Sequence, residues 1–341
     1  MKKSVLFTLL FIAIGIISGL AQKKVAYVTL TKTMDATAST VANDPIIRML
    51  SADPNLSVTV KVLATAADAI TDLANYDVII IQESISGNAG VLMPTGSLAL
   101  KSIPKPFIYN KCYALQKSRA LTGVTSAGAP KEADGTTAGT LTITVDNSYL
   151  SHDLFKGCTF INTNQIKLFN ALSTDVGLLG SGTSVKAINY VSGFTATPGI
   201  LLAQPSILQA STTCNVSVNS VPAGTAIDGL ETTISPAIFL GMNMGAICAT
   251  AGTNITSDGL TIWRNAVYIL AGLTVPSNQA TLPTGLINTL TSDLKVISQQ
   301  FYTINGRLVT TPNNGIYLKK SVYENGTIKY DKVAFIESLQ K

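Results

Sequence analysis

The amino-acid sequence predicts an α/β protein with a doubly wound, mostly parallel sheet and a small antiparallel β module at its C-terminus. Short apolar runs rich in β-branched residues alternate with helical patterns along residues 23–273, which is typical of parallel strands joined by crossover helices. The run at residues 76–81 is apolar almost throughout, as expected for a central strand covered on both faces. Asn-Gly pairs at 305–306 and 325–326 favour tight hairpin turns in the C-terminal segment.

Four strands are predicted in the first half of the chain, because four short apolar runs are each bounded by polar residues. They cover residues 24–30, 58–63, 76–81 and 106–109. Helices are predicted between them over residues 41–50, 66–73 and around 97–102. The first of these helices carries Ile46, Ile47 and Leu50 on one face. If the strand order is 2-1-3-4, the loops after the third and fourth strands lie side by side.

The second half of the domain is less regular but ends in a clear helix. Strands are predicted over residues 140–145, 185–191, 199–203 and 236–241, with an edge hairpin or an insertion over 214–221. Residues 257–272 predict a long helix, in which Leu260, Trp263, Val267 and Leu270 recur at helical spacing. Thr256 or Ser257 can cap its N-terminus, and Gly272 can end it.

The C-terminal segment predicts short strands separated by turns. A strand, the pair Asn305-Gly306 and a second strand form a hairpin over residues 302–309. Strands at residues 316–320 and 329–335 follow, after turns at 313–315 and 325–326. A polar stretch that contains Pro276 and Pro283 separates this tail from the α/β domain. The predicted organisation is a signal peptide over 1–21, an α/β domain over 22–274, a linker over 275–292 and a β tail over 293–341.

The N-terminus has the pattern of a secretory signal peptide. A basic start, Met1-Lys2-Lys3, precedes an apolar run over residues 5–20, and small residues at Gly19 and Ala21 favour cleavage before Gln22. The alternative is a membrane anchor, but the run is short for a span and leads directly into a strand-like segment. We therefore predict an exported protein, secreted or held at the cell surface, without a membrane span in the mature chain.

Composition and charge exclude one class of partner. The net charge is +5; without Lys2 and Lys3 the 24 basic residues become 22 against 19 acidic ones, which leaves +3. This small excess, without a basic cluster, predicts no nucleic-acid binding. The four cysteines, Cys112, Cys158, Cys214 and Cys248, permit up to two disulfides in an oxidising compartment, and buried free thiols are the alternative.

Three segments resemble the class I glutamine amidotransferase-like superfamily, and in particular its trehalose-utilisation (ThuA-like) branch. They are the strand YDVIII at residues 76–81, the segment SHDLFKG at 151–157, similar to H-P-I/L-x-x-G, and the helix TSDGLTIWRNAVYILAGL at 256–273. Asp153 stands where the family usually has Pro. The resemblance implies a flavodoxin-like sheet over most of residues 23–273.

The C-terminal tail resembles the sorting domain of the type IX (Por) secretion system of Bacteroidetes. The similarity lies in YTINGRLV at residues 302–309, GIY at 315–317 and the later Lys332-Val333. This resemblance implies that the secretion machinery is a partner of the tail. The tail lacks the opening N-P segment of many such domains.

The amidotransferase resemblance places candidate catalytic residues at the carboxyl edge of the sheet. The family nucleophile lies in G-x-C-x-G-x-Q, and Cys112 and Gln116 match this spacing, but both glycines and the later H-x-E pair are missing. Those glycines relieve the strained backbone of a nucleophile elbow. Glu83 follows the third strand and is the second candidate, while a buried Cys112 and a solvated Glu83 are the structural alternatives. His152, the only histidine, is the third candidate, for a dyad with Cys112 or a triad with a serine and Asp153.

Polar residues in the same edge loops are candidate ligand contacts. They are Ser84, Ser86, Asn88 and Asn110. No cofactor is predicted, because the sequence has neither a phosphate loop nor the ligand spacing of a metal site. Together with the two resemblances, these residues predict an exported protein whose amidotransferase-like domain acts without catalysis in binding or attachment, with a glycan as one candidate ligand. The alternative is an extracellular hydrolase that uses Cys112 with Glu83 or His152.

Overall fold

The computed structural model describes residues 22–30, 44–63, 73–83, 85, 105–115, 135–138, 140–172, 187–194, 199–208, 214–225, 233–283, 296–303, 305–313, 315–323 and 328–335. The predicted signal peptide over residues 1–21 lies outside these ranges. The helices predicted at residues 66–73 and 97–102 also lie outside them, apart from Leu73, which begins a short 3-10 turn.

The described residues form sixteen strands and three α-helices in chain order. The strands are β1 (Lys23–Leu30), β2 (Leu56–Leu63), β3 (Val78–Ile81), β4 (Phe107–Tyr109), β5 (Gly135–Ala138), β6 (Thr142–Val145), β7 (Gln165–Lys167), β8 (Ile188–Phe194), β9 (Ile200–Pro205), β10 (Cys214–Val216), β11 (Val218–Val221), β12 (Ala237–Leu240), β13 (Val296–Thr303), β14 (Leu308–Val309), β15 (Gly315–Tyr323) and β16 (Ile328–Phe335). The helices are α1 (Pro45–Ser51), α2 (Met244–Gly252) and α3 (Ser257–Ala271).

The main sheet has nine strands in the order β2-β1-β3-β4-β12-β11-β9-β6-β7. The first five strands are parallel to one another. Each remaining pairing is antiparallel, so β11 and β6 alone run against the other seven strands of this sheet. The predicted α/β class with a mostly parallel sheet is confirmed, and its first four strands have the order 2-1-3-4 considered from the sequence.

Alternation along β1 divides the core between the two faces of the sheet. Val25 and Tyr27 belong to a cluster that contains buried apolar residues from all three helices, which we call the helix-face cluster. Ala26 and Val28 belong to a second cluster that contains residues of β8 and β10, which we call the second-face cluster. Successive side chains of a strand point to opposite faces, so the two clusters lie on opposite sides of the sheet.

The helix predicted at residues 257–272 is confirmed. Thr256 caps α3, since its Oγ1 accepts a hydrogen bond from the Gly259 amide at 3.0 Å. Gly272 ends the helix in the left-handed conformation, with φ of 67°. Helix α1 begins at Pro45 and not at residue 41, because the Asp44 carboxylate caps the amides of the first turn and proline fits the first helical position.

The segment at residues 214–221 forms neither a hairpin nor an insertion. It divides at Ser217 between two sheets, with β10 in a three-stranded sheet of order β10-β8-β5 and β11 in the main sheet. The Ser217 amide donates to Ala203 O at 3.3 Å, and Ser217 O accepts from the Gly241 amide at 2.6 Å. The backbone of Ser217 therefore stays bound to strand neighbours where the chain changes sheets.

The C-terminal strands form a separate four-stranded antiparallel sheet of order β14-β13-β15-β16. Gly306 adopts φ of 80° in the turn between β13 and β14, as its place in the Asn-Gly pair predicts. The small antiparallel module is confirmed, while the second Asn-Gly turn lies outside the described residues. Among the described helices, none is both long and apolar enough to cross a membrane.

Candidate functional site

The carboxyl ends of the central parallel strands bring several predicted site residues together. Glu83 follows β3, and Asn110 and Cys112 follow β4, its neighbour in the sheet. The Lys111 ammonium donates a hydrogen bond to the backbone carbonyl of Glu83 at 2.7 Å, so the two loops are in direct contact. This is the edge at which open α/β sheets ordinarily bind ligands.

Cys112 follows β4 at the carboxyl edge of the sheet, but its side chain lies in the core. Its side chain has no exposed surface and belongs to the second-face cluster. Its Sγ donates to Ser217 O at 3.3 Å, and its amide donates to Asn189 Oδ1 at 3.0 Å. Burial raises the pKa of the Cys112 thiol well above its usual value, so the reactive thiolate is strongly disfavoured.

Glu83 caps helix α2. Its Oε2 accepts a hydrogen bond from the Met244 amide, and its Oε1 accepts from Asn243 Nδ2 at 3.4 Å. The side chain is 5% exposed. A carboxylate at this position complements the positive end of the helix dipole and satisfies an amide that has no partner inside the helix. Glu83 therefore has a structural role, and the solvated loop carboxylate considered from the sequence is wrong because the side chain is buried.

Asn110 belongs to a chain of buried polar groups beneath this edge. Its Nδ2 donates to Gln82 Oε1, and its Oδ1 accepts from the Met242 amide at 3.2 Å. Gln82 Nε2 donates in turn to the Tyr27 hydroxyl, and Tyr27 donates to the Asp44 carboxylate. All four of the side chains Tyr27, Asp44, Gln82 and Asn110 have no exposed surface. The side-chain amide of Asn110 thus links the residue after β3 to the segment after β12 inside the protein.

Burial perturbs the two acidic groups at the far end of this chain. Desolvation raises the pKa of Asp44 from 3.8 to about 6, although the hydrogen bonds from Tyr27, Ile46 and Ile47 oppose the change. Desolvation, followed by the neighbouring Asp44, raises the pKa of Tyr27 well above its usual value. Tyr27 therefore remains protonated and donates its hydroxyl hydrogen to Asp44.

Gly241 permits the close packing of this region. A Cβ at this position would lie 2.0 Å from Asn189 O and 2.9 Å from Ser217 O, both backbone atoms. The strand end after β12 therefore requires a residue without a side chain. The side-chain oxygen of the same Asn189 accepts from the Cys112 amide, so Gly241 and the Cys112 backbone both contact this one residue.

His152 lies in a turn on the other face of the sheet. Its Nδ1 accepts a hydrogen bond from the Leu154 amide at 3.1 Å, and its ring lies 6.4 Å from Tyr149 and 6.3 Å from Phe155 between centroids. Burial lowers the pKa of His152, against an opposing effect of Asp153. Leu154 and Phe155 belong to the helix-face cluster and Cys112 to the second-face cluster. The structure therefore does not bring His152 and Cys112 together.

The turn after His152 is held by helix α3 through Asn265, a residue that the sequence analysis did not select. Asn265 Nδ2 donates to the carbonyls of Asp153 at 3.2 Å, Leu154 at 3.1 Å and Lys156 at 2.8 Å. Gly157 follows with φ of 83°, and a Cβ there would lie 2.8 Å from Asn278 O. Two of the three segments that carry the amidotransferase resemblance thus form one structural joint.

A second candidate site is a groove of about 190 Å³ beside the antiparallel strands, here called the β6–β9 groove. Its polar lining consists of Thr144, Asp146, Asn147, Asn164 and Gln204. Its apolar lining consists of Val145, Leu201 and Ala203. Strand β6 runs against the parallel strands, so the groove residues that follow β6 lie at the opposite edge from Cys112 and Glu83.

The remaining sequence candidates have no described geometry. Ser84, Ser86, Asn88 and Gln116 lie outside the described residues. Within the described ranges, no group of three or more His, Cys, Asp or Glu side chains is arranged to hold a metal ion. All four cysteines are free thiols, with Cys112 and Cys248 buried and Cys158 and Cys214 partly buried.

Comparison of the sequence with models of known protein families gives no match, and comparison with curated proteins gives none either. At the carboxyl edge, Cys112, Glu83 and Asn110 all take part in internal hydrogen bonds. The β6–β9 groove is open, and several polar atoms of its side chains have no hydrogen-bond partner among the described residues.

Proposed function

We propose that this chain is an exported protein whose α/β domain binds a ligand, with a glycan as the expected class, and does not catalyse a reaction. The observation that carries this proposal is the state of Cys112. The thiol is fully buried, its pKa is raised by desolvation, and it donates to the backbone carbonyl of Ser217. A nucleophile needs access to its substrate and a base or positive charge that favours the thiolate.

The same geometry argues against the hydrolase alternative. Glu83 and His152 are the groups that would assist Cys112, and each has a structural hydrogen bond. Glu83 accepts from the Met244 amide at the start of α2, and His152 accepts from the Leu154 amide in its own turn. His152 also lies on the other face of the sheet from Cys112. The amidotransferase-like domain is therefore proposed as a scaffold for binding.

Export is supported by the two ends of the chain. The basic start and apolar run at residues 1–21 have the pattern of a signal peptide. The tail at residues 293–341 is similar to a type IX sorting domain, and a four-stranded antiparallel sheet is compatible with that role. We infer that the secretion machinery recognises this tail and that the protein acts in the medium or at the cell surface.

Alkylation of the native protein tests the non-catalytic assignment. We expect iodoacetamide to leave Cys112 unmodified at neutral pH and to modify it once the protein is unfolded, because the thiol is fully buried. Peptide mapping by mass spectrometry measures the extent of modification at each cysteine. The partly buried Cys214 is an internal comparison in the same sample. Rapid modification of Cys112 in the native protein would support the hydrolase alternative.

Truncation of the tail tests the proposed route of export. In a bacterium with a type IX system, we expect the full chain to reach the surface or the medium. A variant without residues 293–341 should accumulate in the periplasm, since it keeps the signal peptide but lacks the tail. Cell fractionation and antibody labelling of intact cells measure the location and the surface display of the full chain and of the truncated variant. Equal surface display of the two forms would show that the tail is not a sorting signal.

A further inference from the structure

The β6–β9 groove contains side chains that are fixed at one polar atom and open at the other. Asp146 Oδ1 accepts from the Ser148 amide at 2.8 Å, and Asn147 Oδ1 accepts from Asn164 Nδ2 at 3.0 Å. Gln204 Oε1 accepts from the Asn215 amide at 3.0 Å. Each bond restricts the rotation of a side chain that lines the groove, so the polar groups are oriented before any ligand arrives.

The other polar atom of each of these side chains has no hydrogen-bond partner among the described residues. These atoms are Asp146 Oδ2, Asn147 Nδ2, Asn164 Oδ1 and Gln204 Nε2. Two of them are acceptors and two are amide donors. A ligand with several hydroxyl groups matches such a mixture, because each hydroxyl both donates and accepts a hydrogen bond.

The remaining lining narrows the class of ligand further. Leu201 is a partly buried apolar side chain of the groove, and it offers a contact for the C–H face of a ring. Asp146 is the only charged side chain among the described lining residues, so the groove disfavours anions. The combination of amide donors, carboxylate and amide acceptors and one apolar contact fits a neutral sugar.

We propose that the β6–β9 groove is a binding site for a neutral pyranose, at the opposite edge of the sheet from the predicted amidotransferase site. This inference rests on the proposed binding function and gives it a location and a ligand class. Asn147 and Gln204 donate to sugar hydroxyls, Asp146 and Asn164 accept from them, and Leu201 contacts the ring. The residues at the carboxyl ends of the parallel strands then stabilise the fold, and the ligand binds beside the antiparallel strands β6 and β9.

Titration with simple glycosides tests the site. The methyl glycosides of glucose, galactose and mannose are added at millimolar concentration to the ¹⁵N-labelled full-length protein. The side-chain amide signals of Asn147 and Gln204 are followed by NMR and assigned from their loss in the variants Asn147→Leu and Gln204→Met. We expect saturable shifts of these signals with at least one glycoside. Glucuronic acid, which has a carboxylate on the same ring as glucose, should bind more weakly because of Asp146.

Matched variants separate the groove from the rest of the surface. Asn147→Leu keeps the approximate size of the side chain but removes its amide, and should weaken binding about tenfold. Asn278→Leu makes the same change at an exposed position outside the groove, and should bind as the wild type does. Far-ultraviolet circular dichroism confirms that each variant is folded, and Gln204→Met provides a second reading if Asn147→Leu is not.

The outcomes distinguish this site from the proposed function. If a glycoside binds equally to the wild type, Asn147→Leu and Gln204→Met, the groove is not the site, but a glycan-binding function stands. If none of the glycosides binds and an array of oligosaccharides is also negative, both the groove and the glycan-binding function are wrong. Tenfold weakening in the groove variants alone supports both.

Discussion

Replacement of Asn265 with alanine is expected to lower the free energy of unfolding by about 3 kcal/mol. The Asn265 side-chain amide donates to three backbone carbonyls in the turn at residues 153–156. An alanine side chain has no donor that could replace these hydrogen bonds. The bond to Leu154 O is buried and the bonds to Asp153 O and Lys156 O are partly buried, so the variant loses three hydrogen bonds and leaves the buried Leu154 carbonyl without this donor. Urea unfolding measures the change through the fluorescence of Trp263, which is the only tryptophan and is fully buried in α3.

Two further variants show whether the amide itself is responsible. Asn265→Asp has the same shape and keeps the oxygen that accepts from Arg264, but it presents an acceptor to the three carbonyls, so it should also be less stable than the wild type at neutral pH. Asn278→Ala removes one exposed local hydrogen bond beside the same joint and should change stability by less than about 0.5 kcal/mol. Equal stability of Asn265→Ala and the wild type would mean that the turn does not depend on this contact.

Replacement of Asp44 with asparagine is expected to remove a pH dependence from the stability of the α/β domain. The folded-state pKa of about 6 lies above the ordinary value of 3.8, so the wild type is favoured while Asp44 is protonated. That contribution is fully present below about pH 4 and is lost as the pH rises through about 6. The stability of Asp44→Asn relative to the wild type should therefore rise by about 3 kcal/mol between about pH 4 and about pH 7.

The asparagine keeps the cap of α1, since its side-chain oxygen can still accept from Ile46 and Ile47, as the Asp44 Oδ1 does. Tyr27→Phe is the complementary variant. It removes a hydroxyl that favours the ionised carboxylate, so the loss of stability should move to higher pH. Unfolding by urea at a series of pH values, followed by Trp263 fluorescence, measures all three proteins. Parallel pH profiles for Asp44→Asn and the wild type would contradict the assignment.

Much of the parallel half of the fold follows from local sequence signals. The four buried residues of β3 form a continuous apolar run, and α3 begins at a threonine cap and ends at a glycine. These signals depend on neighbours within a few residues, and such signals are the ones a single sequence states directly. The hairpin between the first two C-terminal strands could be anticipated for the same reason, because Asn305 and Gly306 are adjacent in the chain.

Features that depend on distant partners could not be predicted. Glu83 and Met244 are separated by 161 positions, so nothing near Glu83 indicates that it caps a helix. The sequence does not predict helix α2, in which Thr250 and Ala251 have positive φ and interrupt the helix. Ser217 divides one alternating run between two sheets, and its neighbours Ala203 and Gly241 are far away in the chain.

The groove was missed because its residues resemble an ordinary polar loop. Asp146 and Asn147 follow a strand end, where such residues commonly form turns. Asn164 lies in another turn, and Gln204 lies within β9. Only the pairing of β6 with β9 and of β6 with β7 brings them to one surface. The ligand contacts predicted from the sequence, Ser84, Ser86, Asn88 and Asn110, include none of the residues that line this groove.

The contact between Glu83 and the start of α2 also bears on competition between ligands. The amino end of a helix is a common site for phosphate and carboxylate groups, and here a carboxylate of the same chain already occupies the Met244 amide. An external anion would have to displace the Glu83 carboxylate, which belongs to the same chain and therefore has a higher effective concentration than a free solute. At this edge of the sheet, the Glu83 side chain thus binds where an external anion would otherwise bind.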